Sequence, residues 1–324
     1  MKSLAMIRTA VALTLVALAA VPALAKDDGL SLVPANAVTV GMVKIAELRS
    51  SPLSSIVFEH TDQMSTNGEA EKFLTDAGLS LTKDIDVLVV ATSPRTNLGS
   101  EADILVVAEG RFDSERLTKA LLARGAVQKN GYLMPPAEDD SPNDGAIAFP
   151  TSSLAIAGTE RAVVAALAAR KQGGTGFVTR GGLAMDLVRI DPSASAWALV
   201  DVARAARLAK VGDVNTGSGH PGDALKAALK SVSTMAIWAS DKGDSLELGA
   251  FGVSADAETL ALIEDTVRGA LSALRLAVKD QAPEMVPVLR RFDVSRANNA
   301  VVVAGSIPAD TLRDVIAMKR ASIN

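Results

Sequence analysis

Four strand-like segments in the first half of this 324-residue chain recur in the same order, at nearly the same spacing, in the second half. Such recurrence narrows the fold more than any other feature, because a repeated unit has to bury the same faces twice. Ala37 to Ile45 (AVTVGMVKI) alternates and runs into a helix-like stretch, and Ala194 to Val202 (ASAWALVDV) does the same 157 residues later. Asp84 to Ser93 (DIDVLVVATS) corresponds to Ser231 to Ser240 (SVSTMAIWAS) at an offset of 147. Ile104 to Asp113 corresponds to Leu246 to Ala255 at an offset of 142, and each leads into a helical pattern. The fourth pair is Ala155 to Thr159 and Val302 to Ser306, each ending in Ala-Gly and a hydroxyl residue.

The punctuation between these segments predicts an α+β fold: a tandem duplicated unit, each copy an antiparallel sheet with helices packed mainly on one face. Short polar loops, Pro94 to Ser100 and Asp241 to Asp244, join the second and third strands of each half and favour hairpins over parallel crossovers. Asp113 or Ser114 can cap a helix that ends at Arg124 before Gly125, and Thr159 one that ends near Arg170 before Gly173-Gly174. Ser254 or Asp256 opens a long amphipathic helix with Leu260, Ile263, Val267, Leu271, Leu274 and Val278 on one face. Gly269 within it suggests close packing or a bend. Ser306 and Pro308 are expected to open a last helix. The expected organisation is a signal peptide over 1–25, a first repeat over 26–180, a connection over 181–193 and a second repeat over 194–324.

The first 25 residues have the layout of a secretory signal peptide. Lys2 and Arg8 are followed by an apolar run from Ala10 to Val21, then Pro22 and Ala23-Leu24-Ala25. The expectation is a periplasmic or secreted protein of the bacterial envelope, cut before Lys26; retention of the segment as an anchor is the alternative. Removing it takes two basic residues and no acid, so the net charge goes from −4 to −6. An acidic chain without a basic run argues against nucleic-acid binding. No other apolar run reaches the ~18 residues of a membrane span, so no stable span is expected after cleavage. With no cysteine there is neither disulfide nor thiol nucleophile, and packing has to supply stability.

Candidate sites are sparse, and each has a plainer structural explanation. His60 and His220 are the only histidines. Glu59, His60 and Asp62 could offer metal ligands, although near neighbours on a helix point in different directions. His220 lies in Gly217-Ser218-Gly219-His220-Pro221-Gly222, which spells a nucleotide-loop pattern but follows a helical stretch instead of a strand, and Pro221 removes an amide donor. Asp139 and Asp140 belong to an acidic loop that could attract calcium but lacks the alternating oxygens and central glycine of a calcium loop. Asp84 and Asp86, two apart on a strand, would share one sheet face; paired acids serve glycoside hydrolysis, but with 3% aromatic residues the chain is poor in sugar-stacking platforms. Ser80-Leu81-Thr82-Lys83 spells S-x-x-K without the companion K-T-G. Gly158-Thr159 and Gly305-Ser306 can receive an anion at a helix start, but a strand-to-helix turn explains them as well.

Leu32-Val33-Pro34-Ala35-Asn36-Ala37 before an alternating strand, Gly110-Arg111-Phe112-Asp113 before a helix, and the Ala-Gly-Thr/Ser strand ends resemble exported bacterial proteins of unknown function built from repeated α+β units. That resemblance carries no activity and no cofactor with it. The function expected is a non-enzymatic binding or scaffolding role in the envelope, with an envelope protein or lipid as partner. One alternative is a carrier or chaperone for lipid or apolar ligands, since a sheet under helices can enclose a cavity lined by Ala, Val and Leu. Another is a hydrolase assembled from dispersed residues.

Overall fold

The structure, a computed structural model, describes residues 29–51, 54, 79–95, 101–136, 145–174, 176–180, 182–208, 232–281, 283 and 285–314. It is an α+β fold built on one antiparallel sheet of twelve strands. The strands are β1 (Thr39–Val43), β2 (Ile85–Pro94), β3 (Ala102–Gly110), β4 (Val127–Lys129), β5 (Tyr132–Met134) and β6 (Gly145–Thr151), then β7 (Leu154–Thr159), β8 (Ala196–Asp201), β9 (Thr234–Asp241), β10 (Ser245–Val253), β11 (Asp293–Ala297) and β12 (Ala300–Pro308). Their spatial order is β11-β12-β10-β9-β8-β1-β2-β3-β7-β6-β5-β4. The helices are α1 (Ile45–Arg49), α2 (Leu81–Asp84), α3 (Ser114–Ala123), α4 (Glu160–Lys171), α5 (Phe177–Arg180), α6 (Val202–Leu208), α7 (Ala257–Gln281) and α8 (Met285–Arg290).

The two halves meet where β1 pairs with β8, from Thr39 opposite Val200 to Val43 opposite Ala196. Outward from that ladder the order is β1, β2, β3, β7, β6 on one side and β8, β9, β10, β12, β11 on the other. The eight strand segments anticipated from sequence occupy corresponding places in these two series. The short polar loops join antiparallel hairpins, β2 with β3 and β9 with β10.

Alternation along the strands divides the apolar residues between two faces. On one face Val89, Ala91, Leu105, Val107, Ile156, Trp197, Leu199, Ala236 and Phe251 belong to the largest core cluster. It is closed by the turn Gly29–Leu32, by Val163 and Ala166 of α4, by Phe177 of α5 and by the 3-10 stretch Leu183–Arg189. The segment between the halves is thus packed, with Leu183 and Ile190 buried; just before it Phe177 is fully buried, and its amide donates to the Val33 carbonyl at 2.8 Å. On the opposite face Ala108, Phe112 and Leu117 pack with Ile45 and Leu88 around α1 and α3, while Leu260 and Ile263 of α7 pack with Val294, Val301 and Met235. Helices therefore cover both faces, not mainly one, because inner strands such as β2 (IDVLVVATSP) are apolar on both sides.

Local signals placed the helix starts well, with two exceptions. Asp113 accepts from the Arg116 amide at 3.0 Å to open α3, Gly125 follows that helix at φ 91°, and Asp256 accepts from the Thr259 amide at 2.6 Å to open α7. Thr159 stands at the N-cap of α4, but its hydroxyl donates to Asp103 Oδ1 at 3.2 Å instead of capping. Ser306 and Pro308 do not open a helix; they complete β12, and the chain turns helical at 309. Gly269 has nothing within 4 Å of its missing side chain, so it serves no close contact.

Gly158 has a stricter role. Its φ is 138°, and an added Cβ would lie 2.0 Å from the Ile104 carbonyl oxygen. Gly158→Ala is expected to cost on the order of 3 kcal/mol through backbone strain and clash. Gly269→Ala, exposed on a helix, is expected to gain about 0.5–1 kcal/mol. Urea midpoints of the two variants measure both, and equal small effects would contradict the assignment.

Candidate apolar binding site

The middle of the sheet carries an unusual pair of rows on the face shared with α1 and α7. Strand pairing sets Val43, Ala196, Ala239, Leu248 and Gly305 side by side on β1, β8, β9, β10 and β12. The next row on the same face is Gly41, Ala198, Ile237, Ala250 and Val303. Each row crosses five strands, a span of about 19 Å at ~4.8 Å per strand. On this face α7 packs over β11 and β12, and α1 packs over β2. Between them lies a cavity of about 500 Å³, lined by the two rows apart from Gly41 and Gly305, together with Gly249, Phe292, Trp197 and Trp238. Ile237 is 56% exposed there, although it points from an inner strand.

The trough is deepest over β8 and β9, which put their bulk on the other face. Trp197 and Trp238 are directly opposed on β8 and β9 and face the large core. Trp238 lies across Gly249, where a Cβ would sit 2.1 Å from its ring, and its centroid is 6.1 Å from that of Phe251. The residues flanking the tryptophans, Ala196, Ala198, Ile237 and Ala239, then face the trough, and three of the four are alanine. Phe292 closes the β12 end: its ring occupies the space above Gly305, where a Cβ would meet it at 2.6 Å. Arg275 of α7 fixes that corner by donating to the carbonyls of Leu289 at 3.0 Å and Phe292 at 3.0 Å.

Two of the polar candidates, Asp84 and Asp86, fall on described residues and serve the frame. Asp84 and Asp86 do not share a sheet face, because Asp84 ends α2 and only Asp86 lies on β2. The Asp84 carboxylate accepts from the Ser80 amide at 2.7 Å, and Asp86 pairs with Arg49 of α1 at 3.1 Å. Arg49 also donates to the carbonyls of Thr82 and Ile85, so the Arg49–Asp86 pair ties α1 to α2 and β2, while Asp84 closes the first turn of its own helix. In the S-x-x-K segment the Ser80 hydroxyl meets that of Thr82, at 3.3 Å, while Lys83 is exposed. Asp103 of β3 is buried and held by Arg95 at 3.0 Å and Arg161 at 2.9 Å. This carboxylate beside the start of α4 opposes an anion at Gly158-Thr159. Glu59, His60, Asp62, Asp139, Asp140 and His220 lie outside the described residues, as do the acidic loop and the glycine pattern around His220. Among the described residues no group of three or more His, Asp or Glu side chains is placed to hold a metal ion.

A serine-lysine contact that sequence spacing did not reveal lies where β9 leaves the sheet. Lys242 Nζ donates to Ser193 Oγ at 2.6 Å, and Ser193 Oγ donates to Asp191 Oδ1 at 2.8 Å. A lysine base has to be neutral to take the serine proton. Burial works to lower the Lys242 pKa, but Asp191 at 3.5 Å and Glu247 at 3.4 Å raise it on balance, so the ammonium keeps its proton. Asp191 is held at about 2 by the Ser193 amide and hydroxyl, then by the fully buried Ser240 hydroxyl and by Lys242. The cluster clamps the inter-half segment to β9 and β10.

No protein-family model and no curated protein matches the chain. Among solved structures it is similar to three crystal forms of TP0453. Form III aligns with a TM-score of 0.49 at 11% identity, covering 90% of this chain and 98% of that one. Form I aligns with a TM-score of 0.45 at 10% identity, covering 89% and 96%. Form IV has a TM-score of 0.43, again at 10% identity and with the same coverage.

The clamp makes a pH-dependent contribution. A carboxyl held below its unfolded value stabilises the fold fully above that value and loses its effect as pH falls through the folded one. Asp191→Ala is therefore expected to melt below the parent protein at pH 7, with the gap closing as pH falls from about 4 towards 2. Thermal melts across that range measure it; a gap that is constant with pH would contradict the clamp.

Proposed function

We propose that this is an exported envelope protein with a binding role, carrying a lipid or other ligand with a long hydrocarbon chain in the trough across β1, β8, β9, β10 and β12. The observation that carries the reading is an open cavity of about 500 Å³ whose described side chains are all apolar. Its size falls within the roughly 300–1,000 Å³ of small-molecule sites, which usually add a few polar groups for orientation. With none along this trough, the part of the ligand it holds should be hydrocarbon. Each methylene taken from water contributes ~0.8 kcal/mol, close to fourfold in affinity.

Export rests on the charged start, apolar run and Ala-Leu-Ala end of residues 1–25. No described helix is long and apolar enough to cross a membrane. The matching strand order on either side of the β1–β8 ladder supports a tandem duplication of one α+β unit, with the trough on the second copy and its inner edge on β1. The scaffold reading needs a partner surface, and the hydrolase reading needs a neutral base; the trough favours the carrier.

The test is titration of the chain from Lys26 onward with cis-parinaric acid, a fluorescent fatty acid. Saturable micromolar binding is expected, weakened about tenfold or more by Ala198→Phe, which fills the trough from its floor. The same variant should unfold no earlier than the parent in urea, because it adds apolar contact on an open face. Parinaric acid that fails to bind, or binds equally well to Ala198→Phe, would overturn the reading.

A further inference from the structure

We propose that Phe292 is the end wall that sets the length of hydrocarbon chain the trough accepts, an inference that rests on the carrier reading and makes it more specific. The rows run at right angles to the strands and finish at β12, where the Phe292 ring is seated on Gly305. The ring is fixed from two sides. Gly305 leaves room for it by carrying no side chain, and Arg275 bonds the carbonyls of Leu289 and Phe292 on the approach to β11. Phe292 thus joins the floor of the sheet to the α7–α8 hairpin, and the cavity stops against it.

The described residues lining this end, Leu248, Ala250, Val303 and Phe292, offer no polar side chain. The Phe292 ring closes this end, so the part of the ligand that meets it is a methyl terminus, with any head group lying away from β12. From β1 to β12 the floor measures about 19 Å, the extended length of a myristoyl to palmitoyl chain. A rigid ring at the end of a straight apolar trough makes affinity rise with chain length until the methyl reaches the ring, then stop rising or fall. Gly305 is the matching half of the device, since any side chain there would displace the ring.

The experiment displaces cis-parinaric acid from the chain beginning at Lys26 with laurate, myristate, palmitate, stearate and arachidate. The parent is expected to gain about threefold to fourfold per methylene up to a limit near palmitate, and nothing beyond it. Phe292→Ala should move the limit to stearate or arachidate. Phe292→Leu keeps an apolar contact on Gly305 and should move it less, which covers the case where the alanine variant does not fold. Unchanged limits in the leucine variant and in a folded alanine variant would overturn the role of Phe292 while leaving the carrier reading in place. Absence of binding by any of the five acids and by the probe would overturn both.

Discussion

The antiparallel ladder between β1 and β8 is the contact on which everything else depends. Five residues from each strand pair there, and through them two short sheets become one of twelve strands. Two separate sheets would each expose an additional edge, with unpaired amides and carbonyls open to other chains. Joined, the described strands have their edges at β4 and β11. The joint also sets the register of both rows of the trough, because Val43 opposite Ala196 and Gly41 opposite Ala198 are pairs of this ladder. A shift of one residue would turn Trp197 into the trough and the alanines into the core.

A sheet this wide has two large faces to cover, and the helices do so unequally. One face receives the N-terminal turn, α4, α5 and the inter-half segment, and holds the largest core. The other receives α1 and α3 at one flank and α7 and α8 at the other. Exposed Val90, Ile104 and Ile237 mark the middle of that face. Apolar side chains on inner strands normally find cover, and a concave patch of them is a place for a ligand. The buried Asp103 and the Asp191 clamp sit apart from it and hold the frame against which the trough keeps its shape.

Much of the frame was legible in the sequence because it is local. Alternation in AVTVGMVKI and ASAWALVDV marked β1 and β8, and Asp113 and Asp256 marked helix starts by side-chain bonds to amides three residues on. Their pairing was not legible, since nothing local relates Val43 to Ala196. The paired Ala-Gly-hydroxyl motifs misled in detail: Gly158 is required by a positive φ and the Ile104 carbonyl, whereas Gly305 is required by the ring of Phe292. The possibility of an Ala/Val/Leu-lined cavity was visible in composition, but its place was not. Its one local signal lies in AWA and IWA, where tryptophan occupies one strand face and small or branched residues the other. Recognising the trough also required knowing which strands the described helices leave open, a property of the tertiary arrangement. The partners of Asp84 and Asp86 were not legible for the same reason: Asp84 bonds the Ser80 amide at the start of its own helix and Asp86 pairs with Arg49 of α1.

The central claim is that hydrocarbon lies along the two rows between β1 and β12. Photo-crosslinking with a palmitate analogue carrying a diazirine near its methyl end, followed by peptide mapping, tests this most directly. Labelling concentrated on Leu248, Ala250, Val303 and Phe292, competed away by palmitate, is the predicted result. Labelling spread over unrelated exposed apolar residues such as Met185 and Val188, or undiminished by palmitate, would contradict it.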